Sequence, residues 1–152
     1  MASVKPAQGS VLFVCNLNSV RSPMAEALTR ALYGKTLYVE SAGLEPTERD
    51  PFAMSVLNEV AIDMSKDQPL DLEEIDVGSF DHVVCLTPEA LARVNELVRG
   101  QAVNVEYWQT IDPFSGGAQG SREQRLTAYR DLREELRRMI DLRFEGREKA
   151  IG

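Results

Sequence analysis

Cysteine, histidine and tryptophan are scarce in this chain: its 152 residues include two Cys, one His and one Trp. Two thiols, Cys15 and Cys85, cannot make a disulfide framework. With His82 as the sole imidazole, no zinc-finger or haem set can be assembled at these spacings, so no metal is expected. No apolar run approaches the length of a membrane span, and residues 1–10 lack the basic start, apolar stretch and cleavage site of a secretory leader. Basic charge is short as well. Lys and Arg number 17 against 24 Asp and Glu, and the net charge of -7 argues against general nucleic-acid binding. Internal repeats and low-complexity tracts are missing, which excludes a solenoid or a long linker. The expectation is a cytoplasmic protein without nucleic-acid or membrane partners. Its domain spans 11–144, between a disordered lead-in at 1–10 and a tail at 145–152.

What is present is an alternation of strand and helix patterns. Val11-Leu12-Phe13-Val14 is an unbroken apolar run, the pattern of a strand buried on both faces of a parallel sheet. Ser22 as N-cap and Pro23 at the first helical position then open a helix carried by Ala25, Leu28 and Leu32 and closed by Gly34. Further strands are read at Leu37–Ser41, Asp81–Leu86 and Val103–Trp108. Asp50-Pro51 and Thr87-Pro88 each start a helix, and Ser121-Arg122-Glu123-Gln124 is a capping box ahead of a long one. Residues 63–80 are left unassigned, apart from a short helix suggested by Leu70, Leu72 and Ile75. The fold class implied is α/β, a doubly wound four-stranded parallel sheet flanked by helices. Such sheets bind ligands at the carboxyl ends of their strands, so the loop after the first strand is the place to look.

That loop reads Cys15-Asn16-Leu17-Asn18-Ser19-Val20-Arg21-Ser22. A segment of this length between a strand and a helix can wrap its backbone N–H groups inward as a nest for a tetrahedral oxyanion, helped by the helix N-terminus. Arg21 can grip two of the oxygens with its planar fork, and in that field Cys15 serves as a thiolate nucleophile. No Walker pattern occurs, and the segment holds no Lys. Asp112-Pro113, after the fourth strand, reads evenly as a turn or as a catalytic carboxylate.

Cys-x5-Arg-Ser continued as Arg21-Ser22-Pro23-Met24-Ala25-Glu26, with Ser41-Ala42-Gly43 and then Asp112-Pro113, resembles the low-molecular-weight protein tyrosine phosphatase superfamily. That superfamily also contains thioredoxin-coupled arsenate reductases. The resemblance implies catalysis without a metal or organic cofactor. Cys15 would attack phosphorus, Arg21 and the loop amides of Asn16, Leu17, Asn18, Ser19 and Val20 would hold the oxygens, and Asp112 would act as general acid and then base. Ser22 would hydrogen-bond the Cys15 sulfur, and the Asn18 side chain would brace the loop. Leu44 and Phe114 stand where family members carry the walls around a substrate ring.

Two departures qualify the resemblance. Val20 occupies the place where family phosphatases have a second Cys, and Leu86 to Asn95 lacks the redox cysteines of the reductases. Cys85 reads as a small buried core residue. The leading expectation is a phosphomonoesterase acting on a phosphotyrosyl protein or a small aryl phosphate. The alternative is arsenate reduction with an external thiol donor, and a third reading is a non-catalytic phosphoprotein-binding module. Trp108 is expected as a core anchor, His82 without a role, and Arg133–Arg138 as a solvated helix face.

Overall fold

The computed structural model describes residues 9–65, 68–114 and 120–146. The strands are β1 (Ser10–Cys15), β2 (Tyr38–Gly43), β3 (His82–Cys85) and β4 (Asn104–Tyr107). The helices are α1 (Arg21–Tyr33), α2 (Pro51–Asn58), α3 (Pro88–Leu97) and α4 (Arg122–Phe144). All strand pairs are parallel, in the order β2-β1-β3-β4. The expected doubly wound α/β sheet is therefore present.

Every residue of β1 is buried, as its unbroken apolar run requires. The pleat sends Val11, Phe13 and Cys15 to one face and Leu12 and Val14 to the other. The first face packs against Met24 and Leu28 of α1, Val56 and Leu57 of α2, and Leu132, Leu136 and Ile140 of α4. The second packs against Ala90 and Val94 of α3, with Leu72 and Val77 closing its edge. Trp108 meets Phe13 edge-on with ring centroids 5.7 Å apart, the core anchor expected of it. The chain leaves β1 toward β2 by one crossover and later returns to β3 on the other side. The switch point thus lies over the carboxyl ends of β1 and β3.

Three local readings are corrected. Helix α1 begins at Arg21, with Val20 at the N-cap position and no side-chain cap, because the Ser22 hydroxyl is bonded to the Cys15 sulfur and the Asn18 amide instead. Ser10 belongs to β1, not to a lead-in: its N–H donates to Asp81 Oδ2 at 2.9 Å. Residues 1–8 of that lead-in and 147–152 of the tail lie outside the described residues. Between 68 and 80 the chain forms two 3-10 turns, Leu72–Glu74 and Val77–Ser79, in place of one short helix. Asp71 caps the first by accepting from Glu73 N, which holds the turn too tight to propagate.

Two predictions follow from packing. Gly43 pairs with Cys15 in the sheet, and a Cβ there would lie 2.8 Å from Asn18 N and 2.9 Å from Asn16 O. Both are backbone atoms, which cannot swing aside. Gly43→Ala is expected to lower stability by about 1–3 kcal/mol and to disturb the loop, as read by thermal denaturation and oxyanion binding; unchanged values for both would contradict the close approach. The second concerns Cys85, whose thiol burial pushes up from 9.0 to about 12. Between those values the folded chain retains a proton that the unfolded chain has released. Stability is therefore intact below pH 9 and falls as the pH rises toward 12. Cys85→Val should flatten part of that decline; an identical slope of unfolding free energy against pH would refute the assignment.

Candidate active site

Cys15 ends β1, and the chain turns immediately into the loop that reaches α1. The outer side of this loop is engaged carbonyl by carbonyl. Leu44 N donates to Cys15 O (3.2 Å), Glu45 N to Asn16 O (2.8 Å), Thr47 N to Leu17 O (2.9 Å) and Asp50 N to Ser19 O (3.1 Å). The Asn18 carbonyl accepts from Arg49 Nη1, and the Val20 carbonyl from Met24 N. With the carbonyls turned outward, the loop amides face the inner side, the arrangement that cradles an anion.

Asn18 holds the shape. Its φ of 53° is a left-handed conformation that asparagine tolerates better than most residues, and it is fully buried. Its Oδ1 accepts from Arg49 Nη1 at 2.9 Å and Leu70 N at 3.0 Å. Both partners can only donate, so the orientation of the amide is settled. Its Nδ2 then donates to Ser22 Oγ at 2.8 Å and Ser41 Oγ at 2.9 Å. The Ser41 hydroxyl donates in turn to Glu26 Oε1 at 2.5 Å, and Glu26 is paired with Arg30. The Ser22 proton has two acceptors within reach, Cys15 Sγ at 2.8 Å and Ala42 O at 3.4 Å. Either atom can donate in the shorter contact, and when Cys15 is a thiolate the hydroxyl is the donor, the sense in which it stabilises the charge.

A cleft of about 320 Å³ opens over this loop, lined by Cys15, Asn16, Leu17, Ser19, Val20, Arg21, Glu45, Asp112 and Phe114. Arg21 stands at the start of α1, where the helix end adds its partial positive charge. The Asn16 side chain is turned toward α3, accepting from Thr87 Oγ1 at 2.7 Å. Asp112 is exposed, with Oδ1 accepting from Phe114 N at 2.9 Å, and this turn holds the carboxylate at the cleft mouth. Phe114, 50% exposed, meets Tyr129 edge-on with centroids 6.0 Å apart. Leu17, 45% exposed, forms an apolar rim on the loop itself.

The cleft thus joins the expected nucleophile, anion grip, carboxylate and one aromatic wall. Asn18 and Ser22 stand behind the loop as braces. Leu44 is not a wall: it packs against the α3-side core, and Glu45 lines the cleft instead. Consecutive residues of extended chain point to opposite sides, so the two cannot both face the substrate. Residues 115–119, which follow Phe114, lie outside the described residues. Sequence reasoning missed Arg49, a buried side chain that locks Asn18 and also donates to Gln68 O at 3.3 Å. An arginine just before a capping aspartate carries no signal of burial. Among the described residues no group of His, Cys, Asp and Glu could hold a metal ion, and no helix is long and apolar enough to cross a membrane. Cys85 sits on the sheet face opposite Cys15, so an intramolecular bond between them would need the strand to turn over.

Comparison with known proteins places the chain in a family and supports the fold. Residues 10–141 match the family described as low molecular weight phosphotyrosine protein phosphatase. An arsenate reductase of Shouchella clausii is 35% identical over 127 residues, 83% of this chain and 88% of that protein. A glutaredoxin arsenate reductase of Synechocystis is 30% identical over 131 residues, 86% of this chain and 92% of that protein. A solved arsenate reductase in the oxidised state superposes with a TM-score of 0.73 at 27% identity, covering 88% of this chain and 95% of that one.

Asn18→Ala should test the bracing directly. It removes four side-chain hydrogen bonds and leaves Leu70 N–H without its side-chain acceptor. A loss of about 2–4 kcal/mol is expected in denaturant unfolding, with weakened oxyanion binding. A variant as stable as wild type would remove Asn18 from its central place.

Proposed function

The chain belongs to the low molecular weight phosphotyrosine protein phosphatase family, and we propose that within it this protein is an arsenate reductase that relies on an external thiol. The observation that carries the reading is the cleft: an inward-facing amide nest and Arg21 beside Cys15, with Phe114 the sole aromatic lining residue among those described. Such a site fits a bare tetrahedral oxyanion better than an aryl group sandwiched between rings. The arsenate reductases among the relatives, matched over more than four fifths of this chain, support the same choice over the phosphatase reading.

In this mechanism the Cys15 thiolate attacks arsenic, an arsenate oxygen leaves as water, and a Cys15–S–As(V) adduct forms. Arg21 and the loop amides hold the remaining oxygens, and their charge assistance grows as negative charge accumulates in the transition state. A donor thiolate then attacks the Cys15 sulfur. The S–As bond breaks, its electron pair passes to arsenic, and arsenite departs as Cys15 forms a mixed disulfide with the donor. A second donor thiol releases Cys15. The step requires two donor thiols for each arsenate, and glutathione, mycothiol or a glutaredoxin has the needed chemistry.

Asp112 supports a second reading, hydrolysis of an aryl phosphate through a phosphocysteine. Its carboxylate stands in the same cleft, where it could protonate a leaving phenolate and later deprotonate water. A parallel assay separates the two. Arsenate-dependent thiol oxidation is expected with wild type and is abolished in Cys15→Ser. If no thiol donor supports it while an aryl phosphate is hydrolysed, and Asp112→Asn slows that hydrolysis about 10²-fold or more, the phosphatase reading replaces the reductase one.

A further inference from the structure

From Phe114, on the lining of the cleft, a chain of ring contacts runs outward to two cations that the chemistry above does not use. Phe114 leans on Tyr129, and Tyr129 packs against Phe52 with centroids 5.4 Å apart. Over the Phe52 ring lie two guanidinium groups, Arg125 at 4.4 Å and Arg122 at 5.8 Å from its centroid. Neither forms an ion pair with any of the described residues. Two adjacent cations without an ion pair among the described residues stand out on a chain with a net charge of -7. The nearby carboxylates, which keep their charge, are directed at other donors. Asp50 caps α2 through Oδ1 and accepts from Tyr129 through Oδ2 at 3.0 Å, and Asp112 accepts from Phe114 N. The first-turn amides of α4 are met by the Ser121 capping box, so the side chains rather than the helix end supply the attraction. The acidic side chains on the lining of the cleft itself are Glu45 and Asp112, and Arg122 and Arg125 lie beyond Phe114.

We propose that Arg122 and Arg125, held over Phe52 and linked through Tyr129 to Phe114 on the cleft lining, form a carboxylate-binding rim that seats an anionic low-molecular-weight thiol with its sulfur directed at Cys15. This rests on the reductase reading, which needs a donor to approach along the cleft. A cation–π contact leaves guanidinium N–H groups available for paired hydrogen bonds to a carboxylate, and the ring restricts their motion before the ligand arrives. The rim discriminates among thiols by charge. A carboxylate-bearing donor gains from it, and a neutral one does not.

Thiol–disulfide exchange at Cys15 tests the rim without arsenate. Reduced protein is mixed with oxidised glutathione, which is anionic, or with hydroxyethyl disulfide, which is neutral, and the mixed disulfide is followed by mass spectrometry. The Cys15 thiolate attacks one sulfur of the reagent and releases the other half as a thiolate. Arg122→Gln/Arg125→Gln is expected to slow the reaction with oxidised glutathione about fivefold or more and to leave hydroxyethyl disulfide unaffected. Arg122→Lys/Arg125→Lys should recover part of the loss, and about 1 M salt should erase the difference between wild type and the Gln variant. Equal slowing with both reagents, or no slowing with either, overturns the proposal. Arsenate reduction is then measured with glutathione and with mercaptoethanol. A glutathione KM unchanged in the Gln variant sinks the rim but leaves the reductase reading intact. If neither thiol supports wild-type reduction, the reductase reading fails, and the rim as a donor site fails with it whatever the exchange rates.

Discussion

The amide of Asn18 is the interaction on which the site depends. It lies in a left-handed backbone position and is fully buried, and its two ends face opposite tasks. The oxygen takes protons from Arg49 and Leu70, which tie the loop to the segment beyond β2. The nitrogen gives protons to Ser22 and Ser41, which control the nucleophile and the second strand. A side chain offering two donors and an acceptor of equal reach is needed there, and aspartate would leave the two serine oxygens without a donor. The carboxylate of Glu26 sits at the far end of this chain of bonds, held by Arg30, and accepts from the Ser41 hydroxyl. Partial satisfaction of such a network would cost more than its absence, since each unpaired group is buried.

The same loop explains the pairing of Ser41-Ala42-Gly43 with a motif far away in sequence. Parallel strands place residues side by side in register, and Cys15 stands opposite Gly43. The next residues of both chains continue as partners, with backbone bonds from 44, 45, 47 and 50 to the loop carbonyls. Glycine is required because the loop passes where a side chain would be. The nest is therefore a property of two strand ends, and its curvature comes from the second as much as from the first.

The sheet and its four helices were legible in the sequence because periodicity and caps agreed at each step. Asp50-Pro51, Thr87-Pro88 and Ser121 all cap as their residue types imply. Ser22 did not, because a tertiary partner, the Cys15 sulfur, outcompeted the local backbone for its hydroxyl. Cys15, Arg21, Asp112 and Phe114 could be singled out from loop chemistry and motif order. Leu44 could not be distinguished from Glu45 as a wall, since the choice depends on which way an extended segment is rotated. Arg49 was invisible for a different reason: nothing local marks a cation whose partners are an asparagine 31 residues earlier and a carbonyl 19 residues later.

Strand parity also bears on where the reducing thiol comes from. Cys15 and Cys85 belong to opposite faces of one sheet, and burial pushes the Cys85 thiol up to about 12, so it is both misdirected and protonated at neutral pH. The position past β3 that does approach the loop is Thr87, whose Oγ1 donates to Asn16 Oδ1 at 2.7 Å and accepts from Ala90 N to cap α3. A hydroxyl suits both bonds, and a thiol would make them poorly. Geometry and helix capping thus close the internal routes to Cys15 among the described residues. Redox chemistry at this loop requires a donor from outside, and the opening to Cys15 is the cleft lined by Leu17, Glu45, Asp112 and Phe114.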